Sequence, residues 1–336
     1  MMEKELAQEG LISKRDFSAK KFFLQWEWIL VLILIAVNVM NYILSPDTYF
    51  SGISTQMSDM LGKSFIVFPM VFIILLGDID ISVASTAALS AVIMGVFYNL
   101  GLPMPLALLL CVGIGTLCGY VNGLLLTRFK ELSAVIVTLA TMTLYRGIAY
   151  IILQDQAAGG FPTWFQFFSY GDIFGIPFIL ICFAGCAVLF SLLLHKTIFG
   201  RRLYAMGNNI TASRFSGVKA DRMKVIVFTL AGLMSGVYAI FLTSTMMSTR
   251  PNVANGVELD VIAMAVLGGV STAGGKGSMI GPIIAVFVIG LLKYGLGMIN
   301  ASAQLIIIIV GLLLIVAVSI PSIQEMYRVS KSKRLN

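Results

Sequence analysis

Ten apolar runs divide the sequence, near 27–45, 62–77, 81–98, 103–127, 132–153, 176–195, 223–245, 258–271, 277–297 and 302–320. About 20 residues of α-helix cross a bilayer, and a lipid interior admits only structures that satisfy their own backbone hydrogen bonds. The pattern therefore predicts an all-α polytopic membrane protein with about ten transmembrane helices. Composition agrees, since 58% of the 336 residues are hydrophobic and 12% charged, against about half and about a quarter in soluble domains. The third and eighth runs are the shortest or most interrupted.

Lys and Arg test this count independently, because they accumulate in cytoplasmic loops. Lys4, Lys14, Arg15, Lys20 and Lys21 precede the first run. Arg128 and Lys130 lie in 128–131; Lys196, Arg201, Arg202, Arg214, Lys219 and Arg222 in 196–222; and Arg328, Lys331, Lys333 and Arg334 in 321–336. The alternate segments 46–61, 99–102 and 154–175 contain neither residue. Ten spans with both termini in the cytoplasm satisfy both signals, so the net charge of +7 reads as topology rather than affinity for nucleic acid. The expected organisation is a cytoplasmic segment 1–26, one membrane domain 27–320 with a cytoplasmic loop 196–222, and a basic tail 321–336. Met1 to Lys21 is long, polar and mixed in charge, unlike a cleavable signal peptide.

Cys111, Cys118, Cys182 and Cys186 all lie in apolar runs, where a thiol acts as a small hydrophobe. The single histidine, His195, rules out multi-histidine zinc or haem sites. The longest loop, Lys196 to Arg222, is too short to house an ATPase. Whatever drives this protein is a membrane gradient or another polypeptide.

Four segments carry further information. GGVSTAGGKGS, 268–278, has the look of a phosphate-binding loop, but that motif needs a glycine at 270 and a hydroxyl at 277, where the chain has Val270 and Gly277. Apolar runs flank it, so it reads as a tight turn between the eighth and ninth spans. GDIDISVAS, 77–85, sets Asp78 and Asp80 between two runs, where a charge is costly unless paired or functional. The bland reading places them at a cytoplasmic interface, capping the third span. GVELD, 256–260, puts Glu258 and Asp260 at a helix start on the outer side, where the helix dipole favours acids; contact with a substrate or outer partner is the sharper alternative. In FGRRLYAMGNNITASRFSGVKADRMK, 199–224, Asn209 is placed to cap a short basic helix through Ile210 to Ser216, with Gly217 as its stop. Gly207 and Gly217 bracket it, and Ala212 and Phe215 are free to dock.

Three stretches that run through these segments resemble one family. GDIDIS looks like a GGIDLS signature, 199–218 looks like an FGR-YA-GGN-AA-SGI pattern, and ELDVIAMAVLGGVSTAGGKGS resembles ELD-IAA-VLGG-S-GG-G. All three mark permease subunits of ribose-type ABC importers, a group that includes xylose, rhamnose and autoinducer-2 permeases. The likeness runs from about Pro46 to Pro321 and departs at Asp78 and Asn208, where glycine is usual. It implies a fold similar to the ten-helix cobalamin-type importers, a homo- or heterodimer of permeases, cytoplasmic ATPase subunits holding ATP and magnesium, and an extracytoplasmic sugar-binding protein. This chain itself would hold no cofactor. The helix from Asn209 to Gly217 would be the coupling helix, with Arg201, Arg202 and Arg214 available to acidic ATPase residues and Phe215 as an apolar anchor.

Two other readings compete. In an ion-coupled transporter, Asp78, Asp80, Arg146 and Lys293 would form a relay, although the acids sit near span ends. In a membrane enzyme, the GDID carboxylates would hold a metal, but no further acidic cluster completes the site. Asn122, Thr138, Thr141, Thr143 and Ser244 interrupt apolar runs and are candidate path-lining residues, although such residues often serve helix packing. A purified preparation of this chain alone is expected to release no phosphate from ATP; measurable hydrolysis would overturn the reading of 268–278.

Overall fold

The computed structural model describes residues 26–44, 46–302 and 304–313, together with 315 and 319. The segment 1–25, with its five basic residues, and the basic tail lie outside them. The described chain is helical apart from two pairs of two-residue strands. In order it comprises α1 (Trp26–Leu44), α2 (Pro46–Leu75), α3 (Val83–Asn99), α4 (Met104–Arg128), α5 (Ala134–Leu153), β1 (Ala158–Gly159), a 3-10 turn (Thr163–Gln166), α6 (Phe167–Tyr170), β2 (Asp172–Ile173), β3 (Ile176–Pro177), α7 (Phe178–Lys196), α8 (Ile198–Asn208), α9 (Ile210–Phe215), α10 (Ala220–Met246), β4 (Ser248–Thr249), α11 (Val257–Leu267), α12 (Ile280–Met298) and α13 (Gln304–Leu313). Among the described residues, seven helices are long and apolar enough to cross a membrane: α1, the Met57–Leu75 part of α2, α4, α5, α7, α10 and α12. The protein is thus an all-α, multi-pass membrane protein.

Two of the ten runs are shorter as helices than expected. The third is α3, of 17 residues. The eighth is α11, of only 11, because Gly269 takes φ +86° and turns the chain at the glycine-rich stretch. Of the tenth run, Gln304–Leu313 is described as one continuous helix. The second run extends in the other direction: its helix begins at Pro46, so 46–61 is helical rather than a loop. Hydropathy registers only the part of α2 that is buried in protein, whereas the polar turns before it continue the same hydrogen-bond ladder.

α2 is the central post. Phe65, Phe68 and Phe72 lie at helical spacing and are fully buried. Phe65 stacks on Phe241 at 4.7 Å, Phe68 on Phe190 at 5.5 Å, and Phe72 meets both Phe190 and Phe199 at 5.5 Å. One aromatic column thus joins α2 to α7, α8 and α10. α4 meets α10 by a different device. Gly115, Gly119 and Gly123 form a row at four-residue spacing, opposed by Gly232 and Gly236. A methyl at Gly119 would overlap the Phe228 carbonyl, and one at Gly115 the Gly232 carbonyl. Such close backbone approach is how membrane helices gain packing without a hydrophobic drive. α1 is tied across the molecule by Trp26 Nε1 donating to Leu267 O (2.6 Å) and Asn41 Nδ2 to Leu291 O (2.8 Å).

Two loops at the end opposite the basic loops are stitched by β1 and β4, with Ala158 opposite Thr249. The β2–β3 hairpin lies at the same end. Replacing Gly119 with Val is expected to cost about 1–3 kcal/mol or more by overpacking, read as a lower melting temperature in detergent. Gly113→Ala on the same helix meets open space and is expected to melt like wild type; equal melting of both variants would contradict the packing account.

Candidate functional site: a three-motif junction

The three sequence motifs converge at the basic end of the molecule. Each ends a helix in the same way. α2 closes on Gly77 (φ +80°), whose N–H donates to Ile74 O (2.9 Å) while Asp78 N–H donates to Ile73 O (3.1 Å). α9 closes on Gly217 (φ +82°), with Gly217 N–H to Arg214 O and Val218 N–H to Ser213 O, both 3.0 Å. α11 closes on Gly269, with its N–H to Val266 O (2.8 Å) and Val270 N–H to Ala265 O (3.3 Å). These are Schellman closures, which need the left-handed conformation that glycine adopts without strain.

Backbone contacts join two of these turns to each other and to α8. Gly275 N–H donates to Leu75 O at 2.9 Å, which hooks the 268–278 turn onto the end of α2. Gly207 presses on that bond: a methyl there would overlap the Leu75 carbonyl and lie 2.5 Å from Gly275 N. Tyr204 OH donates to Gly277 O (2.7 Å), and Asn208 Nδ2 lies 3.4 Å from Gly275 O. Gly207 is therefore inside α8, not a hinge beside a helix, and α8 is an element the sequence reading passed over. Lys276 is exposed on the outer rim of the turn. Within the turn, the Ser271, Gly274 and Gly275 amides are committed to the carbonyls of Lys276, Ser271 and Leu75, so its glycines serve backbone packing.

α9 starts as its sequence suggests, with Asn209 Oδ1 accepting from Ala212 N at 2.9 Å. Ser213 faces inward; Ile210, Ala212 and Phe215 face out, Phe215 with 90% of its surface exposed. Arg214 reaches Asp221 at 2.9 Å, and Asp221 also holds Lys130 at 2.8 Å, so one carboxylate ties α9 to α10 and to the loop after α4. Arg201 and Arg202 are exposed on α8.

The two acids of the GDID turn have different partners. Asp78 pairs with Lys224 of α10 at 2.7 Å. Asp80 is 2% exposed and pairs with no cation among the described residues: its Oδ1 accepts from Ser82 N (2.8 Å) and Ser82 Oγ (2.6 Å). Asn122 Nδ2 donates to Ser82 Oγ (2.7 Å), and Tyr145 OH lies 3.0 Å from Asn122 Oδ1. This buried chain links the turn to α4 and α5. Burial pushes the Asp80 carboxyl up to about 6, and its hydrogen bonds with Ser82 and Asn122 only partly oppose that rise.

The path candidates have partners inside the protein. Asn122 belongs to the Asp80 chain; Thr138 Oγ1 donates to Ala134 O (2.8 Å) and accepts from Ile81 N (3.2 Å); Thr141 bonds Thr138 O (3.2 Å), Thr143 bonds Leu139 O (3.1 Å) and Ser244 bonds Phe165 O (2.7 Å). Nor do Asp78, Asp80, Arg146 and Lys293 assemble into a relay. Arg146 donates to Pro251 O (2.6 Å) and Val253 O (2.7 Å), and Lys293 pairs with Asp260. Glu258 and Asp260 occupy the first turn of α11. Lys63, near Asp260, and Lys224 carried no signal in the sequence beyond being lone charges in or beside apolar runs.

Below its ordinary value the Asp80 carboxyl is neutral in both folded and unfolded chains; above about 6 it is charged in both, and the fold carries a buried charge. Its stabilising contribution is thus complete at low pH and lost as pH rises through about 6. Asp80→Asn keeps the acceptor and is expected to gain about 2–3 kcal/mol over wild type at pH 7.5 that it lacks near pH 4, seen as a melting-temperature gap in detergent that closes on acidification. A gap independent of pH would sink the assignment.

A family model described as branched-chain amino acid transport system / permease component matches residues 63–318. The ribose import permease protein RbsC of Bacillus subtilis (strain 168) is 37% identical over 292 residues, covering 86% of this chain and 89% of that one. The autoinducer 2 import system permease proteins LsrD of Escherichia coli (strain K12) and Shigella flexneri are each 36% identical over 267 residues, 78% of this chain and 81% of theirs. No solved structure matches the chain significantly. The chain belongs to the permease-component family of these import systems: it is the transmembrane permease subunit of an ABC importer, whose ATPase is a separate subunit.

Proposed function

We propose that this permease conducts a monosaccharide or sugar-like signal across the bacterial cytoplasmic membrane, delivered by an extracytoplasmic binding protein and driven by cytoplasmic ABC ATPases that hold ATP and magnesium. The relatives named for ribose and autoinducer 2 import support that cargo class. The end bearing Arg128, Lys130, Lys196, Arg201, Arg202, Arg214, Lys219 and Arg222 is the cytoplasmic face, by the excess of positive charge there. Both termini lie on that side. The shorter helices α3, α11 and α13 complete ten membrane segments in an arrangement similar to the cobalamin-type importers, and two permeases assemble as a homo- or heterodimer.

The observation that carries the mechanism is α9: a capped helix held by backbone and ion-pair contacts beneath, with Phe215 projecting from it. It is the coupling helix, and Arg201, Arg202, Ala212, Arg214 and Phe215 form the face that enters the ATPase. Gly207 transmits its displacement to the ends of α2 and α11, because the contacts there are backbone on backbone and have no side chain to absorb movement. The GDID acids brace the same block, Asp78 through Lys224 and Asp80 through Asn122.

Phe215→Asp changes only an exposed side chain, and is expected to cost about 2 kcal/mol or more of docking free energy, roughly a thirtyfold loss of ATPase affinity. Gly217→Pro demands φ near −65° where the chain has +82° and is expected to disorder the closure of α9. Reconstituted with ATPases and binding protein, both variants should hydrolyse ATP without import. Wild-type import by both would refute the coupling assignment.

A further inference from the structure

A second group of charges lies far from the junction, in the membrane part of the protein. Lys293 of α12 holds Asp260 of α11 through both carboxylate oxygens, at 2.6 and 2.7 Å. Lys63 of α2 sits 3.8 Å from the same carboxylate and 3.1 Å from Asp59. At 1.5 Å per residue, Lys63 stands about 18 Å from the end of α2 at Leu75, and Lys293 about 20 Å from the start of α12. In a hydrocarbon layer about 30 Å thick, both stand in the half away from the basic end, Lys293 about 8 Å from the other end of α12 at Met298. Beside them Arg146, about 18 Å along α5, holds the carbonyls of Pro251 and Val253, and Glu258 Oε2 is buried with no hydrogen bond from the protein.

Ionisable groups at such depth are costly and face either the protein interior or water. This cluster is not closed. α2 is buried along nearly its whole membrane length, yet Asp59 keeps 50% of its side chain exposed and Lys63 and Lys293 are partly exposed next to it. An ion-pair network whose role was only to hold the short α11 in place would be expected to cover its charges. This one leaves Asp59 exposed and Lys63 and Lys293 partly exposed, along the face of α2 that holds Asp59 and Lys63 one turn apart, with Asp260 buried against them. Lys63 and Lys293 against Asp59 and Asp260 sum to zero charge, so the face offers hydrogen-bond donors and acceptors without a net field. That suits a neutral cargo bearing many hydroxyls, and neither an anion nor a cation.

We propose that Asp59, Lys63, Asp260 and Lys293 form a hydrophilic station in the translocation path, where the hydroxyls of a neutral polyol exchange hydrogen bonds with fixed charges during passage. This rests on the permease reading. Carboxylate and ammonium groups are matched to alternating hydroxyl donors and acceptors, and their mutual pairing keeps each group satisfied before the cargo arrives. Because every charge retains a protein partner, the station binds weakly enough to release.

Cysteine accessibility and uptake test it on the assembled complex. Asp59→Cys is expected to react from outside with a charged, membrane-impermeant methanethiosulfonate. Leu109→Cys, on the apolar surface of α4 with 69% of its side chain exposed, is expected not to. Lys293→Gln should cut D-ribose uptake per ATP hydrolysed about tenfold or more, the worth of a hydrogen bond to a charged group, with Lys293→Arg restoring most of it and binding-protein-stimulated ATPase activity unchanged. Failure of Asp59→Cys to label in a complex whose ATPase is stimulated, or normal uptake by Lys293→Gln, overturns the station while leaving the permease assignment standing. An absence of stimulated ATPase in the wild-type complex would instead strike at the permease assignment.

Discussion

The Leu75 carbonyl is where the structure is least forgiving. It is the last carbonyl of the central helix, it accepts the Gly275 amide at 2.9 Å, and Gly207 lies against the pair so closely that no side chain fits. A contact of this kind has no rotamer to change and no methylene to compress, so the three chain segments can move only together. The aromatic column on α2 and the glycine row between α4 and α10 extend the same rigidity through the membrane. In the proposed coupling role of α9, a force applied there would act on backbone from the start.

The chain places its polar groups in two ways. At the basic end, carboxylates are spent on bracing: Asp221 ties three segments, Asp78 reaches α10, and Asp80 closes a buried chain of neutral partners. At the other end, Asp260 is buried in its pairing with Lys293 and Lys63, while Asp59 beside them stays exposed. A hydrophobic environment makes both arrangements expensive.

Much of this was legible in the sequence, and the exceptions have physical causes. Seven long apolar runs became seven long helices because burial in lipid requires length. The short helices α3 and α11 were harder, since part of their environment is protein, which tolerates turns that lipid does not. Asn209 and Gly217 were readable as the bounds of α9 because capping is a local matter of a few residues. Gly207 was readable as unusual but not in its role, which depends on Leu75 and Gly275, each more than 60 positions away. The near match of 268–278 to a phosphate loop reflects a shared need for glycine at tight backbone approaches rather than a shared ligand. Asn122, Thr138, Thr141, Thr143 and Ser244 stand out in the sequence as polar residues within apolar runs, whereas their partners, carbonyls and side chains of the same helix or of other segments, are set by the fold. Lys63 went unremarked because a lone lysine in a run carries no sign of the Asp260 it meets from another helix.

The central claim is that α8–α9, the 77–82 turn and the 268–278 turn form one block through Gly207. Backbone hydrogen exchange on the assembled complex, comparing wild type with Gly207→Ala, tests it most directly. The account predicts faster exchange in Gly207→Ala at 73–82 and 268–279 as well as at 204–217. Acceleration confined to 204–217, with the other two turns as protected as in wild type, would contradict it.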